Sequence, residues 1–61
     1  MNTTFDRLLF CVKAFKKAGY SSGEIDLMTD DELSIETTLL GASLVAKEEI
    51  ASLRKTFSLM D

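Results

Sequence analysis

The stretch that decides the fold spans residues 29–60 and reads TDDELSIETTLLGASLVAKEEIASLRKTFSLM. At ~100° of rotation per residue, one set of its apolar side chains falls within an arc of roughly 80° on a helical wheel. The members of this set, hereafter the seam, are Ile35, Leu39, Ala42, Ala46, Ile50, Leu53, Phe57 and Met60. A seam that keeps its register over this length predicts one long helix over about residues 30–60.

A second apolar set lies near the opposite side of the same helix and consists of Leu33, Leu40 and Leu44. A helix that is apolar on two sides needs two surfaces to pack against. The N-terminal part of the chain supplies one, and a second copy or a partner protein would supply the other. The expected partner-binding residues are therefore Leu33, Leu40, Leu44, Leu53, Phe57 and Met60.

Gly41 is the weak point of the long helix, because glycine in a helix interior costs about 1 kcal/mol relative to alanine. One interpretation is a break, which gives helices of about 30–40 and 42–60 and a closed three- or four-helix monomer. The other is a strip of small side chains that lets a second backbone approach. Ser43 is followed three residues later by Ala46, so no capping box restarts a helix after Gly41. The missing start signal favours a continuous helix, straight or bent.

The N-terminal third predicts a helix over about residues 4–18, with Thr3 or Thr4 as its N-cap. Its apolar side chains recur at helical spacing and define one buried face, formed by Phe5, Leu8, Leu9, Val12 and Phe15. Gly19 follows where a left-handed C-cap residue is expected.

Two helix-start signals follow in quick succession. Ser21 with Glu24 and Thr29 with Glu32 both have capping-box spacing. The first predicts a short helical turn over about residues 22–27, and the second starts the long helix. The predicted fold is therefore all-α, a single small helical domain in which helix 1, the short turn and the long helix form a hairpin. We expect it to be oligomeric.

Composition restricts the function. The chain has 61 residues, which is near the lower limit for one self-supporting core. It has no His and a single cysteine, Cys11, so the common zinc sites, an internal disulfide and an imidazole base are all excluded. We therefore expect no enzyme and no cofactor. The longest apolar run near the N-terminus is residues 8–12, which favours a cytoplasmic protein without a membrane span.

Charge is unevenly distributed along the chain. Residues 1–20 hold four basic side chains and one acidic one, whereas residues 21–40 hold six carboxylates and no base. A recognition helix placed after Gly19 would be acidic, so direct binding to nucleic acid is not expected. Asp30, Asp31, Glu32 and Glu36 are instead a candidate acidic surface. An acidic inhibitor or regulator of a nucleic-acid-acting enzyme is thus the alternative to a protein-interaction module.

Residues 19–33, GYSSGEIDLMTDDEL, resemble a short pattern of phage tail assembly chaperones. The matching positions are Gly19, Tyr20, Ser21, Glu24, Ile25, Met28, Thr29, Glu32 and Leu33. The chain departs from the pattern at Tyr20, where Trp is frequent, and after Thr29, where Pro is frequent. The resemblance implies a small helical protein that covers aggregation-prone segments of a tail protein during assembly.

Overall fold

The computed structural model describes residues 3–60, and side chains from Phe5 onward. Four helices follow one another in this part: α1 Thr3–Lys17, α2 Ser22–Leu27, α3 Asp30–Leu39 and α4 Lys47–Met60. No strand occurs among these residues, so the all-α prediction is confirmed. The predicted N-cap of the first helix, Thr3 or Thr4, lies outside the described side chains.

Helix α1 is followed by the first turn of the chain, which contains Gly19. This glycine has a φ of +97°, and its N–H donates to the Lys16 carbonyl at 3.0 Å. The Tyr20 N–H donates to the Phe15 carbonyl, also at 3.0 Å, which completes a Schellman motif. The Tyr20 ring then packs edge-on against Phe15 with ring centroids 5.2 Å apart. The predicted left-handed C-cap is therefore confirmed.

Both predicted capping boxes are present. The Ser21 hydroxyl accepts from the Glu24 N–H, and the Glu24 carboxylate accepts from the Ser21 N–H at 3.2 Å. Thr29 and Glu32 repeat the arrangement at the start of α3, with distances of 3.1 and 2.8 Å. These two short local motifs place α2 and α3 where the sequence predicts them.

The predicted continuous helix over residues 30–60 is wrong. Helix α3 ends at Leu39, and Gly41 takes a φ of +95°. The Gly41 N–H donates to the Thr38 carbonyl at 3.0 Å, and the Ala42 N–H donates to the Thr37 carbonyl at 2.9 Å. This is a second Schellman motif, so Gly41 ends a helix as Gly19 does. The alternative of a break at Gly41 is confirmed, but the second helix begins at Lys47 and not at about residue 42.

The start of α4 lacks a capping side chain. Its first turn begins with the Ile50 N–H donating to the Ala46 carbonyl at 3.0 Å. Ala46 has no side-chain oxygen for the helix N–H groups, but the Glu49 carboxylate accepts from the Ala46 N–H at 3.2 Å. Half of a capping box is therefore present, and its Ser or Thr is missing. That missing half is why the sequence gives no start signal here.

The break at Gly41 determines which residues of the seam are buried in the core. The core consists of Leu8, Cys11, Val12, Phe15, Ile25, Leu33, Ala42, Leu44, Ile50, Leu53 and Phe57. It takes the C-terminal half of the seam from α4, together with Leu33 and Leu44 from the opposite set. Because the chain folds back on itself, both sets reach one core. Phe5, predicted to be buried, remains 47% exposed at the rim.

Candidate interaction surface

Thr37 holds the turn that reverses the chain between α3 and α4. Its buried hydroxyl accepts from the Leu44 N–H at 3.1 Å and has the Ser34 and Leu44 carbonyls within donating distance, at 2.9 and 3.1 Å. Its carbonyl also accepts from the Ser43 N–H at 3.2 Å. One threonine thus satisfies polar groups that a continuous helix would satisfy internally, and leaving these groups unpaired would be costly.

Arg7 of α1 binds the same turn from outside. Its Nε and Nη2 donate to the Ala42 carbonyl at 3.2 and 3.1 Å, and Nη2 also donates to the Ser43 carbonyl at 2.9 Å. Its Nη1 lies 3.1 Å from the Glu49 carboxylate at the start of α4. The guanidinium therefore joins α1, the turn and α4, a geometry that lysine cannot reproduce.

Arg54 performs the equivalent task at the junction of α2 and α3. Its Nη1 donates to the Ile25 carbonyl at 2.8 Å, and its Nη2 donates to the Met28 carbonyl at 2.7 Å and to Asp30 at 2.8 Å. Neither arginine was recognised as structural from the sequence. The residues they bind lie 24 to 42 positions away along the chain, so no local pattern reveals them.

Most of the predicted partner-binding residues are used within the chain. Leu33, Leu44, Leu53 and Phe57 are fully buried in the core, and Leu40 is half-buried against it. Met60 is 43% exposed, and its carbonyl accepts from the Lys16 ammonium. Burial in the closed chain leaves only Met60 of these six with a largely exposed side chain.

Exposed large apolar side chains occur on all four helices and in the turn after α3, and two of them are neighbours on α3. Ile35 is 60% exposed and Leu39 is 74% exposed, one helical turn apart on the side opposite Leu33 and Thr37. Asp31, Glu32 and Glu36 lie beside them at neighbouring helix positions. We call these five residues the α3 face: Asp31, Glu32, Ile35, Glu36 and Leu39. The sequence placed Ile35 and Leu39 on the seam but did not single them out for partner binding.

The acidic residues have divided roles. Asp30 is paired with Arg54, and Glu32 closes the capping box with Thr29. Asp31 is exposed and Glu36 is half-exposed. At least half of the predicted acidic surface therefore also stabilises the fold.

The described side chains include no metal-binding cluster and one buried thiol. No group of three or more Cys, Asp or Glu side chains within residues 3–60 is placed to hold a metal ion. Cys11 is fully buried in α1, and this burial raises the pKa of its thiol from 9.0 to about 11, with a smaller opposing effect from Arg7. Such a thiol stays protonated and unreactive at neutral pH. None of α1–α4 is both long and apolar enough to cross a membrane.

Comparison with known proteins gives no relative: no protein family, no curated protein and no solved structure matches the chain.

Proposed function

We propose that this chain is a non-enzymatic protein-interaction module that associates through the α3 face, with a second copy of itself as partner. The observation that carries the proposal is the exposure of Ile35 and Leu39 in a chain that buries four of the six other seam side chains, Ala42, Ile50, Leu53 and Phe57. Two adjacent aliphatic side chains on a regular helix form a rigid anchor, which is the usual centre of a helix-mediated contact.

A second copy is the favoured partner for two reasons. A single core of this size is only marginally stabilising, and association is a common way for small proteins to bury more apolar surface. A strip on one helix is also self-complementary about a two-fold axis, so that one patch serves both subunits. The carboxylates of the α3 face would repel across such an axis, so added salt should strengthen rather than weaken the contact.

The resemblance of residues 19–33 to tail assembly chaperones suggests a narrower form of the same proposal. An assembly chaperone or adaptor would present Ile35 and Leu39 to an apolar segment of its client. The capping boxes at Ser21 and Thr29 account for four of the nine matching positions. The narrower role uses the same α3 face and names its partner as an apolar segment of a client protein.

The acidic inhibitor remains the second candidate, carried by Asp31 and Glu36 on the same face. Its partner would be a basic surface, and its binding would weaken steeply with salt. For either candidate function we propose a cytoplasmic location.

The proposal is tested by light scattering over a hundredfold range of protein concentration. We expect a reversible rise from one chain mass to two, which Ile35→Glu and Leu39→Glu abolish. Leu59→Glu is the matched control, because Leu59 is equally apolar and exposed but lies on α4. A mass that stays at one chain throughout would overturn self-association. Loss of the dimer to the same extent in Leu59→Glu would overturn the assignment of the contact to the α3 face. Dimers that dissociate on adding salt would contradict an apolar contact between two α3 faces.

A further inference from the structure

The α3–α4 turn, residues 40–46, joins two helices whose apolar seam is in register across it. Ile35 and Leu39 before the turn and Ile50, Leu53 and Phe57 after it occupy one arc of a continuous helix. In the closed chain only the second group is buried. The turn therefore separates two halves of one apolar stripe, and leaves the first half exposed.

The turn itself consists mainly of residues that favour helix. Its sequence is LGASLVA, in which Gly41 is the only strong helix breaker. Ser43 takes a φ of +51°, a left-handed conformation that costs a residue with a Cβ about 1 kcal/mol or more. A straight helix through residues 40–46 would relieve Ser43 and would continue the backbone hydrogen bonds of α3 into α4.

Straightening the turn removes α4 from its own core. The site that α4 leaves is lined by α1 and α2 and by Leu33 of α3, and it fits the α4 of any identical chain. We propose that two copies exchange α4 by straightening residues 40–46, giving a domain-swapped dimer with one continuous helix over about residues 30–60 in each chain. This inference rests on the proposed self-association and names its geometry.

The exchange also explains what covers the exposed half of the seam. The two long helices would cross in opposite directions near residue 41, where the seam holds Ala42 and Ala46 beside Leu39 and Ile35. Large side chains of one copy then face small ones of the other, an arrangement that packs closely. The closed chain and the exchanged dimer share the contacts of α4 with α1, α2 and Leu33, and they differ at the turn, where Ala42 and Leu44 leave the core.

The first test alters the turn. Gly41→Ala favours helix and disfavours the left-handed turn. We expect Gly41→Ala to shift the equilibrium of each chain roughly tenfold towards the straight helix. Because each of the two copies straightens one turn, the dimer dissociation constant should fall on the order of 100-fold. Ser43→Gly relieves the closed turn and should raise that constant. Gly19→Ala is the matched control, because it makes the same change at a turn that the exchange leaves intact.

The second test shows which chains are joined. Asp31→Cys with Lys55→Cys, in a Cys11→Ala background, places thiols beside the Asp30–Arg54 ion pair on α3 and α4. A flexible bismaleimide should link two chains in the dimer fraction and one chain in the monomer fraction, as read on a denaturing gel. Dimers linked only within each chain would overturn the exchange and leave self-association through the α3 face standing. An unchanged dissociation constant for a folded Gly41→Ala protein would also overturn it.

Discussion

The turns at Gly19 and Gly41 have the same backbone and very different sequence signals. Each glycine has a φ near +96°, and each closes a Schellman motif with the same pair of hydrogen bonds. After Gly19 the next helix starts with a complete capping box. After Gly41 the next helix starts at Lys47, and Ala46 before it has only the Glu49 half of a capping box. The first turn is thus fixed by local chemistry, and the second depends on contacts from elsewhere in the fold.

The largest expected effect comes from removing the support of the second turn. Thr37→Val keeps the side-chain shape and removes the buried hydroxyl that serves Leu44. We expect a loss of about 2 kcal/mol in the free energy of unfolding, measured by urea denaturation. Thr38→Val is the control: Thr38 donates to the same Ser34 carbonyl but is exposed. Equal losses in the two variants would contradict the role given to Thr37.

Arg7 and Arg54 each stabilise one junction between helices, and the two contributions can be compared. Arg7→Lys should cost about 1.5 kcal/mol, because a lysine cannot donate to the Ala42 and Ser43 carbonyls and pair with Glu49 at once. Arg54→Lys should cost a similar amount at the α2–α3 junction. Lys55→Arg is a neutral control. Thermal unfolding followed by circular dichroism measures all three, and an unaffected Arg7→Lys protein would argue against the clamp at the Gly41 turn.

The missing capping residue can be supplied. Ala46→Ser completes the capping box with Glu49 and should stabilise the closed chain by about 1 kcal/mol. Ser21→Ala removes the corresponding box after Gly19 and should destabilise the chain by a similar amount. If Ala46→Ser leaves the free energy of unfolding unchanged, the difference between the turns does not originate in their caps.

The smallest effect concerns the core that both turns close. The pKa of Cys11 is about 11 in the folded chain against 9.0 for an ordinary thiol, so the unfolded chain releases this proton first as pH rises. Stability is nearly unaffected below about pH 8 and falls as the pH rises through 9.0 towards 11, by roughly 0.8 kcal/mol at pH 9.5. Cys11→Ala removes that dependence and leaves the rest of the chain unchanged. A wild-type pH profile parallel to that of Cys11→Ala would show that the thiol is not buried.

Local signals explain which parts of the fold were predictable. The left-handed glycine and the two capping boxes are read within six residues, and α1, α2 and the start of α3 follow from them. Helical periodicity correctly grouped Ile50, Leu53 and Phe57 as one face. The same periodicity predicted a continuous helix through Gly41. The seam residues on either side of Gly41 keep helical spacing in the sequence, although the backbone leaves the helix there.

The remaining features depend on distant contacts. Thr37 reads as a small helix residue, and its buried role appears only when Leu44 folds back onto it. Arg7 and Arg54 read as surface charges until their carbonyl partners are placed. The exposure of Ile35 and Leu39 follows from the break and not from their own positions. The interaction surface therefore could not be located before the turn at Gly41 was known.

The most direct test of the account is the distance between α3 and α4 within one chain. Spin labels at Asp31→Cys and Lys55→Cys, in a Cys11→Ala background, are separated by 24 residues, or about 36 Å along a straight helix. The ion pair between Asp30 and Arg54, at 2.8 Å, places these positions close together in the closed chain. Pulsed electron resonance on dilute protein should give a single distance far shorter than 36 Å. A distance near 36 Å at the lowest concentration would show that the long helix is continuous in the isolated chain, contrary to the turn described at Gly41.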